Sequence, residues 1–286
     1  MNNGQFQPTG FRVLPPVVKN LLILNGLFYL ATISFGSVFN IDLTDILGLH
    51  YFQADAFRPY QFITYMFMHG SFSHILFNMF ALWMFGGVLE NLWGPKRFLV
   101  YFLVTGVGAA LVHYAVLFYE INPIVSAMNS YIASPDLAKL QQFLSMHQFQ
   151  VSESSGEIWQ SFMRFKADYS ALAFDPQNAK ALQGTVNFMT DYRESFLNMP
   201  VVIGASGAVF GLLLAFGMLF PNSLIYIYFF IPMKAKWFVI LYGAIELFSG
   251  FYNSGSNVAH FAHLGGMLFG YFLIVYWKKN PNRNSY

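Results

Sequence analysis

What most constrains this chain is a set of six long apolar runs, at residues 21–39, 69–93, 97–119, 201–220, 237–251 and 258–277. Each is close to the ~20 residues that a helix needs to cross a hydrocarbon core. A backbone in lipid has no water to bond to and must satisfy its own amides and carbonyls. Long apolar runs without strict alternation therefore select helices over a barrel. Composition agrees: 56% of residues are hydrophobic and only 10% are charged, unlike a soluble fold of this length. The expected fold class is all-α, a polytopic membrane bundle of six transmembrane helices. Residues 224–231 are apolar too, so Pro232 is read as breaking a longer hydrophobic region into a re-entrant or interfacial piece and the fifth span.

The basic residues orient the bundle. With six spans, Arg12 and Lys19, Lys96 and Arg97, Lys234 and Lys236, and Lys278, Lys279 and Arg283 all fall on one face. The opposite face has Arg58 before the second span and no basic residue between the fifth and sixth. The positive-inside rule then puts both termini in the cytoplasm, and a bacterial inner membrane is the expected setting. A formal net charge of +2 gives no reason to expect a nucleic-acid partner. The first run lacks a small-x-small cleavage pattern and reads as an uncleaved span. The chain has no cysteine, which excludes disulfides and thiol chemistry.

Residues 120–199 differ in kind. They hold eight of the thirteen acidic residues and, on this topology, lie outside the cytoplasm as an extracytoplasmic helical insertion between the third and fourth helices. Stretches 135–150, 156–166 and 176–196 have apolar residues at helical spacing, as at Leu137, Leu140 and Leu144. The expected organisation is a cytoplasmic segment (1–19), helices one to three with an external first loop (20–119), the insertion (120–199), helices four to six (200–279) and a cytoplasmic tail (280–286).

Strongly polar side chains within spans are costly, and each is a candidate for function. The second run has His74 and Asn78, the fourth Ser206, and the sixth His260 and His263. His74, Ser206 and His263 each stand about five residues from the outer end of their run, a depth of roughly 8 Å. Three helices thus bring polar groups to one level of the outer leaflet. A serine hydroxyl is a poor nucleophile until a base takes its proton, and histidine titrates in the right range. Ser206 and His263 fit those roles. Attack on an amide creates an oxyanion that needs preorganised donors. His74 and Asn78, at i and i+4 on one helical face, can supply them, with the Ser206 backbone N–H as a further donor. Gly204-Ala205-Ser206-Gly207 would let a backbone approach the serine. Gly207 with Gly211, and Gly266 with Gly270, also form GxxxG patterns, so the fourth and sixth helices are equally read as simply crossing closely.

These residues resemble the rhomboid intramembrane serine proteases. The match rests on His74-x-x-x-Asn78 within the stretch from His69 to Asn78, on Gly204-Ala205-Ser206-Gly207, and on Ala262-His263-Leu264-Gly265-Gly266. The resemblance implies a serine endopeptidase with Ser206 as nucleophile, His263 as general base and acid, and an oxyanion hole of His74, Asn78 and the Ser206 backbone. It also implies that Phe210 packs its ring on the histidine and that Glu90, in Gly86-Gly87-Val88-Leu89-Glu90, has a structural role. Glu90 is about 24 Å along the helix from His74 and cannot serve as a triad acid; the family works with a dyad. Two departures stand out: Tyr60-Gln61 replaces a Trp-Arg pair of the first external loop, and the family core has no insertion of this length before the serine helix.

His260 reads as a residue that supports or gates the site from behind the catalytic groups, with Gly204, Gly207 and Phe210 also supporting it. Glu246 in the fifth span has similar depth and is expected to make a local hydrogen bond. The expected substrates are single-span membrane proteins in the lipid bilayer, cleaved without metal or cofactor. A transporter or channel would show inverted repeats and a polar track to both faces. A metal-dependent protease would need ligands such as His74, His260 and His263, and there is no HExxH. A catalytically inactive rhomboid-like scaffold usually lacks one or both dyad residues, and both are present here.

Overall fold

Two prolines set the start of the first helix. Pro15 and Pro16 have the φ that a helical first turn needs and lack the amides it would orphan, and α1 runs from Pro16–Phe39. The next amides, of Val17 and Val18, donate to Glu90 at 2.9 and 2.8 Å. The other end closes at Asn40, whose left-handed backbone (φ 54°) returns its N–H to the Phe35 carbonyl.

The computed structural model describes residues 10–227, 230–252 and 260–279. Residues 1–9, the tail from 280 with Arg283, and the expected start of the sixth span at 258–259 lie outside them. After α1 come α2 (Phe72–Trp93) and α3 (Pro95–Ala133), followed by α4 (Leu137–Met146), α5 (Glu157–Phe174) and α6 (Ala179–Asn198). Then α7 (Ser206–Leu219) precedes a hairpin of β1 (Leu224–Ile227) and β2 (Ile231–Lys234), and α8 (Ala235–Tyr252) and α9 (His260–Lys279) complete the described chain.

The chain divides into two units, one of residues 1–49, 59–113 and 202–286 and one of 50–58 and 114–201. In the first unit α1, α2 and α3 are long and apolar enough to cross a membrane, and α7 is apolar over 14 residues. Leu27 and Leu30 on α1 are 57% and 61% exposed. An outward face this apolar is costly in water and unremarkable in lipid. Small residues set how closely the inner helices pack. A Cβ on Gly266 of α9 would fall 1.8 Å from the Gly207 carbonyl oxygen of α7, so the two backbones touch. Gly211 and Gly270 face α3 instead: Tyr101 donates to the Gly211 carbonyl at 2.8 Å, and its hydroxyl fills the space beside Gly270.

The second unit builds its own core from Leu117, Ile121, Val125, Met128 and Tyr131 of α3 with Leu140, Phe143, Phe165, Phe188 and Tyr192.

Three expectations are corrected. The third helix does not stop near 119 but runs through Pro123 to Ala133; the missing hydrogen bond is offset by burial of Ile121, Val125 and Met128 in the second unit's core. The segment around Pro232 is an antiparallel hairpin, with Tyr226 opposite Pro232 and Ile225 opposite Met233. Helices α2 and α7 start later than the apolar runs. Ser71 caps α2 by accepting from the His74 amide, and Gly204, at φ 117°, turns the chain just before Ser206 opens α7.

Candidate active site

Because of those late starts, His74 and Ser206 occupy the first turns of their helices, rather than lying a turn and a half in, and His263 lies on α9. Polar side chains at helix ends share their level with the free amides of the first turn. Ser206 is the first residue of α7, and Ala205 before it provides no side-chain cap. The backbone N–H groups of this turn are thus left for another acceptor.

Ser206 Oγ lies 2.8 Å from His263 Nε2. The other ring nitrogen, Nδ1, is 2.9 Å from Glu246 Oε2, and the same oxygen is 2.7 Å from His260 Nδ1. Glu246 and His263 are both buried, at 7% and 8% exposure. His260 and His263 are i, i+3 on α9, so both rings reach one carboxylate from one helical face.

The turn before the serine is built for close approach. Gly204 donates its amide to the Tyr65 carbonyl at 2.8 Å. A Cβ there would stand 2.7 Å from His74 Nε2 and 3.8 Å from Ser206 Oγ, which places the His74 ring beside the serine across a bare glycine. Asn78 is one turn further along α2, buried, and donates to the His74 carbonyl at 3.0 Å. The described contacts therefore gather Ser206, His263, His260, Gly204 and His74, and Asn78 joins them through the His74 backbone. Gly207 lies at the contact between α7 and α9.

Among the described residues, Glu246, His260 and His263 offer ligating atoms within 4.8 Å of one another. Their spacing is that of hydrogen bonds: one oxygen lies 2.7 and 2.9 Å from the two nitrogens, whereas two ligands of a tetrahedral zinc stand about 3.3 Å apart. The expected alternative ligand set with His74 is not what assembles around the carboxylate.

The profile of the Rhomboid domain matches residues 56–127 and 175–280, more than half of the chain. The chain belongs to the rhomboid family. It is 34% identical over 103 residues to Rhomboid-like protein 11, chloroplastic, of Arabidopsis thaliana; these residues are 32% of this chain and 34% of that protein. The chain thus matches about a third of the length of that curated relative. Rhomboid membership, with the apolar helices, makes this an integral membrane protein.

The remaining rhomboid features can be placed. Phe210, one turn after Ser206, stacks on the His263 ring with centroids 4.2 Å apart and planes 3° from parallel. Glu90 is 2% exposed and joins α2 to the start of α1 through two backbone amides. Tyr60 and Gln61 both donate to the Ile46 carbonyl, at 3.3 and 3.2 Å, and tie down the loop before them. Sequence reasoning missed Tyr242, which stacks on Phe210 at 5.2 Å, and assigned Glu246 no task at the histidine. Tyr242 and Glu246 are i, i+4 on α8. That spacing, at the depth of His263, was the available signal.

Proposed function

We propose that this rhomboid is an intramembrane serine endopeptidase that hydrolyses peptide bonds in or near the transmembrane segments of single-span membrane proteins. Ser206 is the nucleophile and His263 the general base and acid. The observation that carries this reading is the 2.8 Å separation of Ser206 Oγ and His263 Nε2, with the histidine braced on its far side. Ser206 gives its proton to Nε2 as Oγ attacks the scissile carbonyl. His263 passes that proton to the leaving amine, and a water then resolves the acyl-enzyme. The oxyanion falls to the backbone N–H of Ser206 and to His74 and Asn78. A bare Gly204 lets the substrate backbone approach beside the serine. The substrate helix reaches the site laterally from the bilayer and unwinds to present an extended backbone.

The proposed topology has six spans, both termini in the cytoplasm of a bacterial cell, residues 120–199 as an extracytoplasmic insertion, and the site open to that side. It is supported by the basic residues clustered at 96–97, 234–236 and 278–279. The lack of native cysteine makes it testable. A cysteine placed at Ser154 reacts with a membrane-impermeant maleimide added outside intact cells, and one placed at Lys96 reacts only after permeabilisation; the reverse pattern inverts the topology.

Activity is tested with the full chain reconstituted in liposomes with a labelled single-span substrate. Cleavage is expected in the wild type and lost in Ser206→Ala and His263→Ala, indifferent to a chelator. Unchanged products after Ser206→Ala would refute the serine mechanism. A wild type that neither cleaves nor is labelled at Ser206 by a fluorophosphonate would instead be an inactive scaffold.

A further inference from the structure

A two-residue serine–histidine mechanism makes no use of the carboxylate behind the histidine. Glu246 is buried in the half of the bundle made by α7, α8 and α9, and an ionised carboxylate there needs partners to be tolerated. It has two, His260 Nδ1 and His263 Nδ1, on a single oxygen. A carboxylate can only accept, so both rings donate from Nδ1. For His263 this fixes the tautomer. With the proton on Nδ1, the lone pair of Nε2 points at Ser206 Oγ, as a general base requires. Were the proton on Nε2, it would face the serine hydroxyl and leave Nδ1 with its lone pair against a carboxylate lone pair. The ring plane is held as well. Phe210 lies flat on His263, and Tyr242, one turn before Glu246 on α8, lies flat on Phe210. Helix α8 therefore braces the histidine twice, at its edge through Glu246 and at its face through Tyr242 and Phe210.

We propose that Glu246 is a positioning residue that turns the serine–histidine pair into a Ser206–His263–Glu246 triad, with His260 as a second donor that keeps the carboxylate in place. The inference rests on the proposed protease function. When Ser206 Oγ bonds to the scissile carbon, its proton moves to His263 Nε2 and the ring becomes an imidazolium. The Nδ1 proton stays on the ring, now donated to a full negative charge. The positive charge is thus created 2.9 Å from a carboxylate oxygen, in surroundings where Coulomb attraction is poorly screened. It disappears again when Nε2 protonates the leaving amine. Among the described residues, His74 on α2 and His113 on α3 are two further titratable groups near enough for their charge to act on His263. Both are of like sign when protonated, so Glu246 is the compensating anion.

The test uses the full chain in liposomes with a fluorescently labelled single-span membrane protein, and fluorophosphonate labelling of Ser206 as a readout independent of the substrate. Glu246→Gln keeps the shape and removes the charge, Glu246→Ala removes both, and Glu246→Asp keeps the charge. The expected result is a fall in kcat of about 100-fold in the Gln and Ala variants with KM within about twofold, a parallel fall in labelling rate, and partial recovery in Asp. The thermal midpoint of the isosteric Gln variant, within a few degrees of wild type, separates this loss from misfolding if the Ala variant does not fold. A Gln variant within about threefold of wild type overturns the proposal, because a structural role needs only the shape. Inhibition of the wild type by a chelator also overturns it, in favour of a metal at these three side chains. A wild type with no Ser206-dependent cleavage or labelling removes the protease reading and this inference together. Cleavage that Ser206→Ala abolishes and Glu246→Gln leaves intact removes this inference alone.

Discussion

Phe210 and His263 lie face to face, with ring centroids 4.2 Å apart and planes 3° from parallel. The contact does two things for a base that must become a cation. It stops the imidazole from rotating off Ser206 Oγ, and it offers an aromatic face to the imidazolium, worth about 0.5–2 kcal/mol. Replacing Phe210 with Leu keeps most of the volume but loses the flat face. Phe210→Leu is therefore expected to lower kcat for the labelled substrate by roughly tenfold, which is about 1.4 kcal/mol. Wild-type kcat in this variant would show that the stack only fills space.

Gly204 tests the turn before the serine. Its φ of 117° is one that other residues adopt only with strain, and a Cβ would stand 2.7 Å from His74 Nε2. Gly204→Ala is expected to cost about 1–3 kcal/mol in backbone strain and to displace His74 from the serine. Thermal unfolding should move down by several degrees and cleavage should fall at least tenfold. Gly36→Ala on α1 is the matched control. Nothing lies within 4 Å of its added Cβ, and an alanine inside a helix is neutral or slightly stabilising.

Some of this site can be read directly from the residues and some cannot, for a physical reason. Ser206, His263 and His74 are legible because polar groups in apolar runs must be satisfied, and their motifs carry the rhomboid resemblance. The α7–α9 contact is legible too, because Gly207 and Gly266 have no side chain to keep the backbones apart. Glu246 is not legible as a partner of His263, because the pairing depends on the rotation of α8 about its axis, which a single carboxylate in an apolar run leaves open. Helix ends are missed wherever an apolar run continues past a cap. Val201 to Ile203 are as apolar as α7, and only Gly204 marks the break. The third helix is missed in the other direction. Its apolar run ends at Tyr119, and burial of Ile121 and Val125 carries the helix on through Pro123.

Glu90 predicts a different kind of failure. Its two carboxylate oxygens each accept one backbone amide at the start of α1, at 2.9 and 2.8 Å, where the helix dipole also favours negative charge. Glu90→Gln preserves the shape, keeps one acceptor and turns the other oxygen into an amide donor facing an amide donor. The expected loss is about 2 kcal/mol of stability, read as a lower thermal midpoint. Because the residue is remote from Ser206, kcat per folded molecule should stay within about twofold. A stable Glu90→Gln with low kcat would place this acid in the catalytic machinery instead.

His147 makes the second unit sensitive to acid. It is 9% exposed, and its Nε2 lies 2.8 Å from the Tyr192 hydroxyl. That hydroxyl oxygen accepts the Gln150 amide at 3.1 Å, and its own proton can be donated to Nε2 only when the ring is neutral and presents a lone pair there. Burial accordingly lowers the proton affinity of His147 below the usual histidine value. Because the unfolded histidine takes a proton near ~6.5 and the folded one only at lower pH, the unfolded state binds more protons as pH falls. Stability from this residue is therefore intact above ~6.5 and declines as pH drops towards the folded value. Lost with it is one buried hydrogen bond, about 1 kcal/mol or roughly a fivefold larger opening constant. Hydrogen exchange of residues 137–196 at pH 7.5 and 5.5 measures this in the wild type and in His147→Gln, and the difference isolates His147 from the carboxylates and from His50. The acid-induced loss of protection should be smaller in the variant; an equal loss in both would assign the sensitivity to other groups and leave His147 a neutral packing residue.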